Sequence, residues 1–384
     1  MTPDPPHSQG APLSDAGSEH SPMSGIDEYL VHNYPHPVRV MWTTDAQAYE
    51  RIWFTAQDDA GALLVVCGLA FYPNLGTAEA YAIVNCRGQH TTVRAHRLLG
   101  DDRMHMRVGP LAFEVVEPFR EWRLTLDDNA YGVSYDIRWR DTKRAVFRNL
   151  GAGAIAAGKP FGNTAGYDGF GVQEGWVKLA GERFELAPAH FNGTRDHHWG
   201  TRDGVGGRAR WSGWQHVISG PFVQFPDWCV WVDHLLRNLG DPRPGSDTLH
   251  RRRYRLRFEA DTNLVLGGEV DLELRSGESR TMTFSRLGNQ IAFLRCGMYG
   301  GPNGGTPDGD VWQGEFVGDG VVSGETYDLT DPAVRARIAG LDQHHMRFEC
   351  DGQVSYGLFE AYDPLCYETA LKGRQGLSLQ GGTQ

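Results

Sequence analysis

Short runs of alternating apolar and polar residues, cut by Gly, Asp or Asn, recur along almost the whole chain and limit the fold more than any other feature. Tyr49–Ala56, Ala78–Asn85, Thr91–Arg97 and Met104–Val116 are such runs. Trp122–Leu126 and Val133–Trp139 follow, with Asp127-Asp128-Asn129 as the turn between them. A period of two places alternate side chains on opposite faces of a strand, so the pattern predicts an antiparallel meander, sandwich or barrel. Leu63–Phe71 differs in being almost wholly apolar, as a strand covered on both faces would be. Strand-like runs continue over Val38–Thr43, Phe170–Leu179, Phe184–Phe191, Trp211–Ile218, Val223–Phe225, Cys229–Leu235, Tyr254–Phe258, Glu269–Leu274, Met282–Phe284, Arg347–Cys350 and Val354–Glu360. Only two stretches read as helical. Asp331–Ile338 has an N-cap Asp, Pro332 in the first turn, and Val334 and Ile338 four apart. A shorter one lies near Asp45–Tyr49.

With 384 residues, the chain is long enough for two β-domains. The expected division is a disordered tail over 1–24, domains over 25–190 and 191–372, and a flexible end over 373–384. The Gly- and Pro-dense stretch Gly297–Asp310 reads as a long loop, a candidate lid. No short repeat period is present, which argues against a propeller or solenoid.

The net charge of −11 disfavours nucleic acid and anionic membrane surfaces as partners. No apolar run is long enough for a spanning helix, and the N-terminus lacks the pattern of a secretory signal. The expected compartment is the cytoplasm. Six cysteines with no CxxC spacing fit buried thiols rather than redox or zinc sites. Arg251, Arg253, Arg255 and Arg257 alternate with Tyr254, Leu256 and Phe258, as on a half-solvated strand.

The densest polar cluster is Arg195-Asp196-His197-His198-Trp199-Gly200-Thr201-Arg202-Asp203. On a strand, Arg195, His197, Trp199, Thr201 and Asp203 would share one face, and Asp196, His198 and Arg202 the other. One face could line a cavity while the other locks the backbone. A His–Asp or Arg–Asp pair in apolar surroundings has the shifted proton affinity that acid–base catalysis needs. Adjacent histidines point apart on a strand, so neither His197-His198 nor His344-His345 converges on an ion, and no metal is expected. The aromatic residues Trp211, Trp214, Phe222, Phe225, Trp228 and Trp231 crowd just after the cluster and could line an apolar pocket.

Within this cluster, Asp196-His197-His198-Trp199-Gly200 resembles the D-H-x-W-G signature of the carotenoid 1,2-hydratase (hydroxyneurosporene synthase)/AttH-like proteins. The resemblance spans about residues 30 to 370, and only this motif is specific. It implies an all-β fold of two lipocalin-like antiparallel barrel or sandwich domains in tandem, with few short helices. It also implies an apolar ligand bound in or between the domains. Hydratase members protonate a terpenoid alkene and add water to the cation; related fungal members include pericyclases. His197 and Trp199 match the motif's functional residues. The family's later Tyr-x-Asp acid has its nearest counterpart in Phe225-Pro226-Asp227, where Phe replaces Tyr, and a second candidate in Trp231-Val232-Asp233.

The expectation is therefore a cofactor-independent enzyme acting on a terpenoid, steroid or polyketide-like molecule by hydration, dehydration or isomerisation. Asp196, His197, Trp199 and Asp227 would be catalytic, and Trp214, Phe225 and Trp231 would contact substrate. Arg195, His198, Arg202 and Asp203 would form a supporting network. The competing reading is a carrier that binds an apolar ligand without chemistry.

Overall fold

Alternation produces strands almost everywhere the sequence shows it. The computed structural model describes residues 25–31, 43–143, 145–149, 154–156, 159–202, 205–207, 218–231, 234–237, 246–262, 264–298, 313–339, 341–361 and 378–382. Its first half contains β1 (Ala48–Asp58), β2 (Leu63–Tyr72), β3 (Thr77–Cys86), β4 (Gln89–Leu98), β5 (Arg107–Val108), β6 (Leu111–Glu117) and β7 (Glu121–Leu126). Then come β8 (Val133–Asp141), β9 (Val146–Asn149), β10 (Ala154–Ala156), β11 (Lys159–Leu179), β12 (Glu182–Leu186) and β13 (Phe191–Arg202). The second half adds β14 (Ile218–Gln224), β15 (Trp228–Trp231), β16 (His234–Arg237), β17 (Ser246–Phe258), β18 (Val265–Leu274) and β19 (Ser279–Phe293). It ends with β20 (Val321–Asp328), α1 (Pro332–Ile338), β21 (Asp342–Cys350), β22 (Gln353–Ala361) and β23 (Ser378–Gly382).

The fold is all-β, in two antiparallel sheets. The first runs β20-β4-β3-β2-β1-β13-β11-β8-β7-β6-β5 and curls so that both arms share one apolar interior. In the second, β14 to β19, β21 and β22 form a ring, because β16 pairs with β17 while β22 returns to β14. This is an up-and-down barrel of eight strands, a size whose interior side chains can fill. Phe284, Phe348 and Phe359 stack inside it.

Two expectations need correction at the level of the sheets. The boundary near 190 falls one strand too early, since β13 lies between β1 and β11 of the first sheet. The later strand β20 also leaves the second half and pairs along β4. The expected helical turn near Asp45–Tyr49 is a tight turn into β1. There the Ala48 amide donates to the Asp45 carbonyl (3.0 Å) and the Gln47 amide to Asp45 Oδ1 (3.0 Å), the local bond an aspartate makes in turns. The helix after Asp331 forms as expected, with that carboxylate accepting the Ala333 amide at 2.8 Å. Most of Gly297–Asp310, Val38–Thr43 up to residue 42, and Trp211–Ile218 up to residue 217 lie outside the described residues.

Every residue of β2 is buried, and the topology gives the reason. Its odd residues, Leu63 to Phe71, face the first interior. Its even residues, including Leu64, Val66 and Tyr72, face the second sheet and pack in one cluster with Phe222, Trp231 and Leu358. No helix among the described residues is long and apolar enough to cross a membrane.

Close packing of β13 on β1 depends on Gly193. A Cβ there would lie 1.8 Å from the Thr55 carbonyl oxygen, which is fixed backbone. Gly193→Ala is expected to cost about 3 kcal/mol, since overpacking a buried contact forces the backbone to move. A thermal melt several degrees below wild type would bear this out, and an unchanged melt would show that the strands can part.

Candidate active site

The polar cluster is strand β13, and its two faces separate as a period of two requires. Antiparallel register places His197 beside Ile52 and Tyr167, and Arg195 beside Phe54 and Gly169. Trp199 lies opposite Glu50. These residues share the face on which Ile52 and Phe54 point into the first interior. Asp196, His198 and Asp168 occupy the other face, toward the second sheet, together with Trp53.

The interior face carries a continuous polar chain. Arg195 is fully buried and holds Asp141 with two bonds, Nε to Oδ1 (2.8 Å) and Nη2 to Oδ2 (2.6 Å). Nη2 also reaches Glu28 Oε1 at 2.9 Å, and Trp122 Nε1 donates to the other Glu28 oxygen. Tyr167 Oη donates to Glu28 Oε1 (2.8 Å) and meets His197 Nδ1 at 3.0 Å. His197 Nε2 lies 2.9 Å from Glu50 Oε1, and the second Glu50 oxygen accepts from Arg103 Nη2. The Tyr167 oxygen also accepts from Arg195 Nη1 at 3.5 Å, so the phenol joins Glu28, Arg195 and the imidazole. His197 thus bridges a phenol and a carboxylate through its two ring nitrogens.

Burial pushes the Tyr167 phenol well above its ordinary range, and Glu28 adds to this, so the phenol keeps its proton. Burial alone would pull the Arg195 guanidinium down, but Asp141 and Glu28 hold it well above the usual arginine range. The chain reaches Trp199, which is partly exposed and meets His197 edge-on with ring centres 5.3 Å apart. The elements around Trp199 come from distant parts of the chain. Phe147 of β9 meets Trp199 directly, while Glu28 of the 3-10 helix Gly25–Glu28 and Phe119 meet Tyr167, whose ring lies 6.4 Å from that of Trp199.

The opposite face is an ion-paired lock. Arg51 grips both oxygens of Asp196, at 3.0 and 3.1 Å, and lies 3.4 Å from His198 Nδ1. His198 Nε2 lies 3.3 Å from Asp168 Oδ1. Asp168, Asp196 and His198 bring donor atoms within 4.8 Å of one another, close enough to surround a cation. Arg51 already supplies positive charge to that cluster and engages both Asp196 oxygens, so the set does not fit a metal while Arg51 stays.

The structure therefore brings His197, Trp199 and Arg195 together and sets Asp196 and His198 behind them. Asp227 is exposed in the turn between β14 and β15, outside the His197 network. Phe225 is buried inside the second barrel, stacked on Trp228 with centroids 4.3 Å apart. Trp231 is buried between the sheets against Phe222. Arg202 is half-buried, and its amide donates to the Gln47 carbonyl. Trp214, Asp203 and Asp233 lie outside the described residues.

Sequence reading missed Glu28, Glu50, Arg103, Asp141 and Tyr167. Glu50 carried a signal: a carboxylate at the parity of Ile52 and Phe54 in a run that is otherwise core. The others come from separate elements and carried none.

A further buried carboxyl, Glu79, lies between the sheets. Burial raises Glu79 to about 8, despite bonds from the Tyr72 hydroxyl and from the Gly314 amide at 3.2 Å. His96 Nδ1 lies 3.6 Å away and is lowered to about 4, by burial first and by Arg94 second.

A curled sheet and a closed barrel, with an acid–base chain buried in the first of them, define the class of protein at hand. The chain belongs to a family of unknown function (DUF8625), whose profile matches residues 23–222. No curated protein matches the sequence. Among solved structures it is similar to a protein assigned as AttH from Nitrosomonas europaea, at 13% identity and a TM-score of 0.47, covering 85% of this chain and 98% of the other. Kievitone hydratase from Nectria haematococca is similar at 13% identity and a TM-score of 0.43, covering 86% and 95%. CghA with Sch210972 is similar at 10% and 0.42, covering 88% and 97%.

Proposed function

We propose that this protein is an acid–base enzyme for a hydrophobic small molecule, of terpenoid, steroid or polyketide type, and that the reaction takes place at the first interior. The observation that carries the proposal is the chain Glu28–Tyr167–His197–Glu50. Two buried carboxylates are joined through a phenol and an imidazole, each within hydrogen-bond distance of the next. Such a chain can lend a proton and take it back, which hydration, dehydration and isomerisation all need. In this reading His197 and Glu50 exchange the proton, and the face of Trp199 borders any cation that forms. Arg195 is a positioning residue that fixes Glu28. Asp196 moves from the catalytic set to the lock between the sheets, and exposed Asp227 leaves it. Acid–base chemistry calls on these side chains alone, so cofactor independence remains part of the proposal.

The test starts from protein purified gently from its host, with organic extraction of what it carries. Extraction of two molecules differing by one water supports hydration or dehydration; two isomers support isomerisation. With that ligand, His197→Gln is expected to lower turnover about 10²–10⁴-fold, the usual contribution of a positioned proton donor. Asp196→Asn should lower the melting temperature and leave turnover per folded molecule near wild type. The reverse pattern would return the chemistry to the other face. A single ligand that stays unchanged on prolonged incubation would favour the carrier reading.

A further inference from the structure

Arg103 is fully buried in the turn between β4 and β5, yet the structure satisfies only part of it. Nη2 donates to Glu50, while Nε and Nη1 are buried with no hydrogen-bond partner among the described residues. A guanidinium shielded from water with unmatched N–H groups costs folding free energy. Burial pulls its proton affinity down, with Glu50 opposing. The unmatched donors adjoin the carboxylate that holds His197, so a molecule at the acid–base chain would meet them.

The charge balance selects the chemistry of that molecule. Among the described residues three carboxylates, Glu28, Glu50 and Asp141, meet two guanidinium groups, Arg103 and Arg195, with His197 beside Glu50. Among these described groups negative charge is not in deficit. A further buried anion would add an unpaired charge, whereas a neutral oxygen would satisfy the donors without one. Resting on the reading of the first interior as the reaction site, we propose that Arg103 binds a carbonyl oxygen of the substrate.

The chemistry then takes a definite form. Glu50 removes a proton from the carbon next to the carbonyl. The C–H pair becomes the new C=C bond, and the carbonyl pair moves onto oxygen as an enolate held by Arg103. Return of a proton to carbon, at the same or a conjugated position, restores the carbonyl and completes exchange or isomerisation.

Three probes of similar shape test this: 2-acetonaphthone, a ketone; 2-ethylnaphthalene, without an acceptor; and 2-naphthoate, an anion. Binding is read by tryptophan fluorescence on the full chain. Wild type should bind the ketone about tenfold or more tightly than the hydrocarbon, as a hydrogen bond to a charged donor is worth. Arg103→Met should erase that preference. Arg103→Lys, which keeps the charge opposite Glu50, should retain part of it and covers the case in which the methionine variant fails to fold. Equal binding of ketone and hydrocarbon by wild type would overturn the assignment. So would a preference that survives Arg103→Met, tighter binding of naphthoate than ketone, or failure of wild type to bind any probe. Deuterium exchange of the ketone's methyl group in D2O separates this inference from the proposed function. A ketone preference without exchange leaves Arg103 in place and counts against the acid–base chain; exchange without the preference does the opposite.

Discussion

Replacing Arg195 with methionine is expected to remove about 3–5 kcal/mol of stability, the cost of breaking a buried ion pair from one side. The side chain is 1% exposed and binds Glu28 and Asp141, themselves 0% and 4% exposed. Methionine fills much of the space among Phe54, Trp122 and Tyr167, whose rings lie 5.3 to 5.9 Å from the guanidinium carbon. Cavity formation is therefore a minor part of the loss. The main part is two carboxylates left in an apolar interior without a counter-charge. The melting temperature should fall by about 10 °C. The triple variant Arg195→Met/Glu28→Gln/Asp141→Asn removes those charges and should recover a large share. Limited proteolysis should show the segment Gly25–Val31 released in the single variant, since Glu28 fastens it. Arg140 and Glu174 pair at 2.9 Å with 47% and 39% exposure, and Arg140→Ala should change stability by about 0.5 kcal/mol or less. Equal effects of Arg195→Met and Arg140→Ala would mean that the interior network contributes nothing to the fold.

Stability should peak near pH 6.5 and fall on both sides, for opposite reasons. Burial lowers His90 and His96 to about 4 and His345 to about 3, from an ordinary 6.5. Below 6.5 the unfolded chain takes up protons that the folded chain refuses, so their contribution is complete above 6.5 and is lost as pH falls toward 4. Glu79 acts in the other direction. Its folded value of about 8 exceeds the ordinary 4.5, so its contribution is complete below 4.5 and is lost as pH rises to about 8. Between 4.5 and 6.5 three histidines outweigh one carboxyl, and stability rises with pH. Above 6.5 Glu79 acts without them, and the loss by pH 8 is about 2 kcal/mol at one proton per pH step. Glu79→Gln should flatten the alkaline side and steepen the rise between pH 4.5 and 6.5, where the carboxyl no longer opposes the histidines. Urea midpoints across pH 4 to 9 for both proteins would read this out. An alkaline limb that persists in the variant would assign it to another group.

Much of the fold is legible in the sequence, because alternation and burial are local signals. Leu63–Phe71 reads as a strand covered on both faces, and it is one because the first interior lies on one side and the second sheet on the other. The period of two also separates Arg195, His197 and Trp199 from Asp196 and His198. What escaped is what depends on chain crossings. Glu28 meets Tyr167 across 139 positions, and β20 joins β4 from the far half of the chain. Arg103 sits in a turn with no periodicity to mark its direction. Asp227 is a candidate only through the resemblance to the family's Tyr-x-Asp, and a three-residue match does not tell an exposed hairpin turn from a barrel floor. The Asp45–Tyr49 stretch is too short for its periodicity to distinguish a helical turn from an aspartate-capped one.

Incubation of the host-extracted ligand with the protein in D2O tests the central claim most directly, with carbon-bound deuterium read by mass spectrometry. The buried chain through His197 should place deuterium on a ligand carbon in the wild type, and His197→Gln should abolish it while the protein remains folded. Wild type that leaves the ligand unlabelled, or a His197→Gln protein that labels it as fast as wild type, would contradict the assignment of proton transfer to this chain.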